Sequence, residues 1–151
     1  MNIPQYELWI KDQQPYLVKE NTVRCEGALQ NPEKIYEFMC QNYRISEKAE
    51  EYSYVIAQNN KCVPVGVFFM SKGTVANTFL NPREIYIRLL LSGAAGFVLV
   101  HNHPSGDVTP SRNDMLCTEA IKKAGDMIGI QLLDHIIIGN GFYSFQEKGD
   151  L

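Results

Sequence analysis

Two histidines one residue apart, with a serine and an aspartate downstream, stand out in the stretch His101-Asn102-His103-Pro104-Ser105-Gly106-Asp107-Val108-Thr109-Pro110-Ser111-Arg112-Asn113-Asp114. The apolar run Gly96-Phe97-Val98-Leu99-Val100 leads in, and Met115-Leu116-Cys117-Thr118-Glu119-Ala120-Ile121 leads out with helical spacing, so the order is strand, loop, helix. A strand that reaches His103 turns both imidazoles to one side, because its side chains alternate with a period of two. Two imidazoles on one side are half of a metal site. A zinc-like ion takes nitrogen and carboxylate oxygen in a tetrahedron, and a catalytic site keeps the fourth position open. Asp114 is the natural third ligand. Ser111 and Asp114 read equally as an N-terminal helix cap, with Pro110 fixing the approach of the chain. The cap alone gives no reason for two histidines at a strand end, where buried imidazoles need partners.

The order His-x-His, seven residues, Ser, two residues, Asp resembles the signature of the JAMM (MPN-plus) metallopeptidases. The fuller string from His101 to Asp107, with Thr109-Pro110-Ser111 after it, resembles the RadC branch of that family. Gly73-Thr74, Pro82-Arg83-Glu84 and Leu133-Asp134-His135-Ile136-Ile137-Ile138-Gly139 support the likeness, which extends over residues 45 to 150. The resemblance implies an α-β-α sandwich of the cytidine-deaminase-like JAB/MPN kind. It implies one zinc ion per chain on His101, His103 and Asp114, and hydrolysis of a peptide or isopeptide bond in a protein or peptide substrate. Metal-assisted hydrolysis needs a carboxylate to take a proton from water and return it to the leaving amine. The family pattern places that role on Glu51, at the start of an early strand, with Glu50 one residue out of phase. It gives Ser111, through side chain or backbone, the part of an oxyanion donor as well as a cap. A link to DNA repair, and so to nucleic acid, comes with the RadC branch by association only. Many members of that branch carry a helix-hairpin-helix segment ahead of the catalytic domain, for which 151 residues leave no room.

Composition is consistent with one domain that buries its own core: 45% of the residues are apolar. A net charge of -3 lacks the basic footprint of a nucleic-acid binder. Cys25, Cys40, Cys62 and Cys117 are scattered without Cys-x-x-Cys spacing, which favours free thiols in a reducing compartment. No leader-like apolar segment opens the chain, and no apolar run approaches the ~20 residues of a membrane span. A soluble, cytoplasmic protein without membrane contact is the expectation.

The positioning elements read as follows. Residues 1 to 44 form an N-terminal lead-in, loosely held as far as Pro15, with a short strand or hairpin within Tyr16–Cys25 and a helix opened by Asn31-Pro32 and running to about Asn42. Residues 45 to 151 form the main domain. Tyr52–Ala57 and Cys62–Met70 make a hairpin across Gln58-Asn59-Asn60-Lys61, with Pro64 at an edge, a start or a bulge. Phe68-Phe69-Met70 belongs either to the core or to a face between copies of a homo-oligomer. Ser71–Val75 turns the chain. Asn81-Pro82 opens a second helix, apolar enough through Ile85, Ile87, Leu89, Leu90 and Leu91 to be buried on more than one side, and Arg83 either pairs with an acid, the preferred reading, or contacts substrate. The helix opened by Ser111 presents Leu116, Ala120, Ala124 and Met127 or Ile128 to the core. Gln131–Ile138 is a buried strand and Phe142–Phe145 a last short one. The layout is α/β, a mixed central β-sheet with flanking helices.

Asp134 and His135 are polar in an apolar strand and face opposite sides, so both cannot reach one metal. His135 reads as a structural histidine ahead of a fourth ligand, and Asp107 as a loop former ahead of a substrate contact. A nucleoside deaminase would need His-x-Glu with Pro-Cys-x-x-Cys, which is missing. The adjacent letters His-Asn-His do not match homing-type nucleases, whose motif is dispersed. The reading from another class is a non-catalytic metal-binding or DNA-processing accessory module.

Overall fold

A strand that is apolar on both faces must be covered on both sides. β5 (Gly96–Asn102) is such a strand, buried at all seven positions. In the computed structural model, which describes residues 1–73 and 80–151, it lies inside a mixed sheet. The other strands are β1 (Asn2–Lys11), β2 (Gln14–Arg24), β3 (Glu51–Gln58), β4 (Pro64–Gly73), β6 (Gln131–Gly139) and β7 (Gly141–Ser144). Among the described residues the sheet order is β2-β1-β4-β3-β5-β6-β7. β1 runs parallel to β4 and β5 parallel to β6, while the remaining neighbours are antiparallel.

Helix α1 (Pro32–Tyr43) covers one face, packing Ile35, Phe38 and Met39 on Ile56, Val98, Val100 and Ile136. Helices α2 (Pro82–Ser92) and α3 (Arg112–Ile128) cover the other, with Ile85, Leu89 and Ile121 against Val55, Phe97 and Leu99. The fold is therefore the expected α-β-α sandwich. Alternation along β5 sends Val98 and Val100 toward α1 and Phe97 and Leu99 toward α2 and α3. His101 is next in the second series and must face α3.

Both Asn-Pro signals cap as expected: Asn31 accepts from the Lys34 N–H and Asn81 from the Arg83 N–H, each with proline in the first turn. Pro64 is the first residue of β4, where a missing N–H costs least.

Several expectations are corrected. Residues 1 to 15 are not a loose lead-in, because β1 and β2 form a long hairpin and β1 joins the sheet beside β4. Asp12 and Gln13 close it with left-handed φ values of 51° and 63°, the twist a tight hairpin turn needs. Ser71–Gly73 belongs to β4, and the remainder of the expected turn, Thr74 and Val75, lies outside the described residues. Helix α2 is buried on one face only, for Leu90 is 60% exposed. Arg83 is exposed and, among the described residues, joins no ion pair, its neighbour Glu84 pairing with Arg88 instead. The core face of α3 is Asp114, Thr118, Ile121 and Gly125, and of the expected Leu116 stripe Ala124 alone packs against the core among the described residues. Leu116 and Ile128 are exposed, and Met127 is 90% exposed. Phe145 does not end β7 but opens a short helix, α4 (Phe145–Lys148). The four cysteines are free thiols, as expected. No helix among the described residues is long and apolar enough to cross a membrane.

Candidate metal centre

Four side chains that can each offer one ligand atom, Glu51, His101, His103 and Asp114, converge with those atoms within 4.8 Å of one another. His101 arrives on β5, paired with Ser53 of β3 on one side and Ile137 of β6 on the other. His103 is one residue past the end of β5, yet its N–H still donates to the Ile138 carbonyl at 2.8 Å, so the strand direction persists through it. The loop that follows is tied to the same ring: His103 Nδ1 donates to the Asp107 carbonyl at 2.7 Å. A carbonyl only accepts, so Nδ1 carries the proton and Nε2 turns inward with its lone pair. Asp107 is a loop former, as expected, its carboxylate accepting from the Thr109 N–H at 2.9 Å. The loop is seated on the turn between β6 and β7, where the Asn140 N–H donates to the Gly106 carbonyl at 2.8 Å.

Asp114 stands in the first turn of α3, and both readings of it hold together. Ser111 is the N-cap and its Oγ accepts from the Asp114 N–H, while Asp114 answers from three residues on, completing a capping box. The same carboxylate faces both imidazoles, with Oδ1 3.2 Å from His101 Nε2 and Oδ2 3.4 Å from His103 Nε2.

Glu51 opens β3. The antiparallel register that sets Ser53 against His101 brings Glu51, two residues earlier, across from His103. Its Oε1 lies 3.5 Å from His101 Nε2. Sheet pairing thus closes the fifty-residue gap between Glu51 and the histidines. Glu50 points away and pairs with Lys72 at 2.8 Å, as the out-of-phase position requires.

Sequence reasoning missed Asn102. Lying between the two histidines, it faces the other side of the strand. Its Oδ1 accepts from the Tyr52 N–H at 2.7 Å, and its Nδ2 donates to the Glu50 carbonyl at 3.0 Å. These are the backbone groups on either side of Glu51, so Asn102 pins the start of β3 to the end of β5. The available signal was an amide at the end of a wholly buried strand, which must find partners.

The donor set fits a tetrahedral ion. Metal–ligand distances of 2.0–2.1 Å make tetrahedron edges of about 3.3 Å. The two Nε2 atoms are 3.1 Å apart, and the separations to Asp114 are 3.2 and 3.4 Å. Two lone-pair nitrogens and a carboxylate at such spacing repel one another unless a proton or a cation sits among them.

The electrostatics agree. Burial disfavours the charge on Asp114, but the two imidazoles facing it and the Ser111 hydroxyl outweigh it and hold the carboxyl far below the usual carboxylate range. The Asp114 carboxylate beside His103 raises that imidazole against the opposing effect of burial. His135 is wholly buried and held well below the usual imidazole range, first by burial and then by His101. As expected, it is not among the convergent groups: it stands behind His101, its Nε2 2.8 Å from His101 Nδ1, and stacks on Phe145 at 4.6 Å. Asp134 turns the other way and accepts from the Ser144 hydroxyl at 2.6 Å and the Gln146 N–H at 3.0 Å. Ser111 is exposed at the rim, with both of its donors directed at Asp114. Next to the cluster, Ser53, Leu99, Asn113 and Cys117 line a recess.

Comparison with known proteins adds an independent finding. Residues 29–150 match the model of a family described as the RadC-like JAB domain. A UPF0758 protein of Thermotoga maritima is 37% identical over 129 residues, covering 85% of this chain and 57% of the relative. Another, of Clostridium beijerinckii, is 43% identical over 106 residues, covering 70% and 46%. The chain spans about half the length of the curated relatives it matches.

Proposed function

From the premise that the chain belongs to the RadC-like JAB domain family, we propose that it is a zinc-dependent hydrolase of peptide or isopeptide bonds. The observation that carries the reading is the placement of Glu51 Oε1, 3.5 Å from His101 Nε2, beside a three-ligand set that needs no fourth protein ligand. His101, His103 and Asp114 would hold the ion. When bound there, zinc supplies Lewis acidity, which polarises a carbonyl and brings water toward neutral pKa.

The remaining work falls to the chain's own residues. Glu51 takes a proton from water at Oε1 and delivers it to the departing amine, so one carboxylate serves as base and then as acid. Asn102 holds the backbone on both sides of Glu51 and limits the arc through which that carboxylate can move. The Ser111 hydroxyl turns from Asp114 Oδ2 to the developing oxyanion, while the Ser111 N–H, also 2.7 Å from Oδ2, keeps hold of the carboxylate. The substrate is a protein or peptide whose scissile carbonyl enters from the rim where Ser111 is exposed.

The test is metal content of the purified wild type beside His103→Ala and Asp114→Asn, with circular dichroism to establish folding, followed by peptidase and isopeptidase assays of wild type and Glu51→Gln. About one zinc per wild-type chain, lost from both folded variants, is expected. Glu51→Gln is expected to keep the metal and lose turnover. A wild type that takes up no zinc would overturn the reading. Duplex binding with a steep salt dependence, and no hydrolysis, would favour an accessory module instead.

A further inference from the structure

We propose that Thr118 and His135 are positioning residues that fix His101 in its Nδ1–H tautomer and thereby leave the Nε2 lone pair for a cation. The proposal rests on the metal reading above for its purpose, but its geometry stands alone. Thr118 lies one turn beyond Asp114 on α3, and its hydroxyl donates to the Asp114 carbonyl at 2.7 Å. A hydroxyl has one proton, and that carbonyl can only accept it. The same oxygen is 2.6 Å from His135 Nδ1, so there it accepts, and the His135 proton sits on Nδ1. His135 Nε2 is then a bare acceptor, 2.8 Å from His101 Nδ1, which has to donate. His101 Nε2 is left unprotonated, 3.2 Å from Asp114 Oδ1.

The chain of bonds begins on the backbone of one ligand and ends on the ring of another. Each link is buried, with Thr118 3% exposed and His135 2% exposed, so water does not compete for the donors. The His135 ring plane is held by Phe145, stacked at an interplanar angle of 14°. His103 reaches the same tautomer through the Asp107 carbonyl. Both nitrogens thus face the site as acceptors by two unrelated devices. With both rings in the opposite tautomer, two N–H groups would meet across 3.1 Å.

The decisive experiment is long-range proton–nitrogen correlation NMR on the metal-free, histidine-labelled protein, joined to zinc affinity by chelator competition. The chain has three histidines, so each ring can be assigned from single variants. In the wild type the His101 proton is expected on Nδ1. His135→Phe, which keeps a ring against Phe145, and Thr118→Val are expected to give a mixed His101 tautomer and a 10–100-fold weaker zinc affinity, about the usual effect of losing an outer-shell partner. Thr118→Ser should restore both values toward wild type. A merely structural role would lower the unfolding midpoint without moving the tautomer or the Ser rescue. The proposal is overturned by a His101 proton on Nε2 in the folded wild type, or by undiminished zinc affinity in a folded Phe or Val variant. Should His135→Phe fail to fold, the wild-type spectrum and the Thr118 pair decide. A wild type with the Nδ1–H tautomer that takes up no zinc would leave the tautomer lock standing and remove the hydrolase reading.

Discussion

Asp114 Oδ2 accepts both the N–H and the hydroxyl of Ser111, each at 2.7 Å, while its carboxylate faces His101 and His103. A helix cap and a candidate metal ligand are therefore one group. The N-terminal end of α3 favours the negative charge, and the capping bonds fix the carboxylate rotamer before any cation arrives.

Ser111→Ala separates the two roles. Removing the cap should lower stability by about 1 kcal/mol, read from urea unfolding of the metal-free protein. Zinc should still bind, since Asp114 keeps the backbone N–H of residue 111. Loss of the oxyanion donor should cut turnover by about 100-fold or more. A variant with full turnover would remove Ser111 from the oxyanion role.

Asn102→Ala leaves the Tyr52 N–H and the Glu50 carbonyl without their buried partner, which should cost about 1–3 kcal/mol of stability. The three ligands come from other residues, so zinc affinity should change little. Turnover should fall more than zinc affinity, because Glu51 loses its anchor. Equal losses in both would show that Asn102 supports the whole strand end and has no special tie to Glu51.

The pH dependence of stability should change sign with metal. In the metal-free protein His103 is raised by Asp114, so its contribution is fully present below the unfolded imidazole value of about 6.5 and is lost as pH rises through the folded value. With zinc, the ion competes with that proton, so its stabilisation should grow as pH rises through the same range. The difference between wild type and His103→Gln in urea midpoint, followed across pH with chelator and with zinc, reads both slopes. Parallel slopes would mean that His103 is not a ligand.

The candidate ligand set was legible because His101, His103 and Asp114 lie within one strand-loop-helix unit, where spacing fixes direction. Glu51 was legible only through family resemblance, since the register that returns it to the histidines is a property of the sheet. The partners of Asn102 are some fifty residues away, and nothing local marks them. Helix α3 was read with its core face misplaced because hydrophobic periodicity follows Leu116 and Met127, whereas the helix buries Asp114 and Thr118 to build the site. Strand β1 was missed because its hairpin turn, Asp12-Gln13, lacks the glycine that usually announces such turns.

The α3 correction carries its own consequence. Ile121 is fully buried between α2 and the sheet, and Ile121→Ala should cost about 2–5 kcal/mol. Met127→Lys, at a position 90% exposed, should stay within about 0.5 kcal/mol. Urea midpoints of the two variants measure the contrast, and a large loss at Met127 would restore the Leu116 stripe as the buried face.

Gly139→Ala tests how the loop that holds His103 is itself held. A Cβ at residue 139 would lie 2.5 Å from the Gly106 carbonyl oxygen, inside any real contact, and that oxygen also accepts the Asn140 N–H. Backbone must therefore move, and the mobile side is the loop from Pro104 to Pro110, because residue 139 ends a paired strand. Displacing Gly106 carries the Asp107 carbonyl away from His103 Nδ1 and frees that ring to rotate. Overpacking of this kind should cost about 1–3 kcal/mol. Zinc affinity should fall in the folded variant, with His103 losing its Nδ1–H tautomer while His101, held from β6 and α3, keeps its own. Chelator competition and histidine NMR separate the two rings. Loss of tautomer order at both would mean that the strand end moved as a unit, and unchanged affinity would show that the Asp107 carbonyl is dispensable for presenting His103.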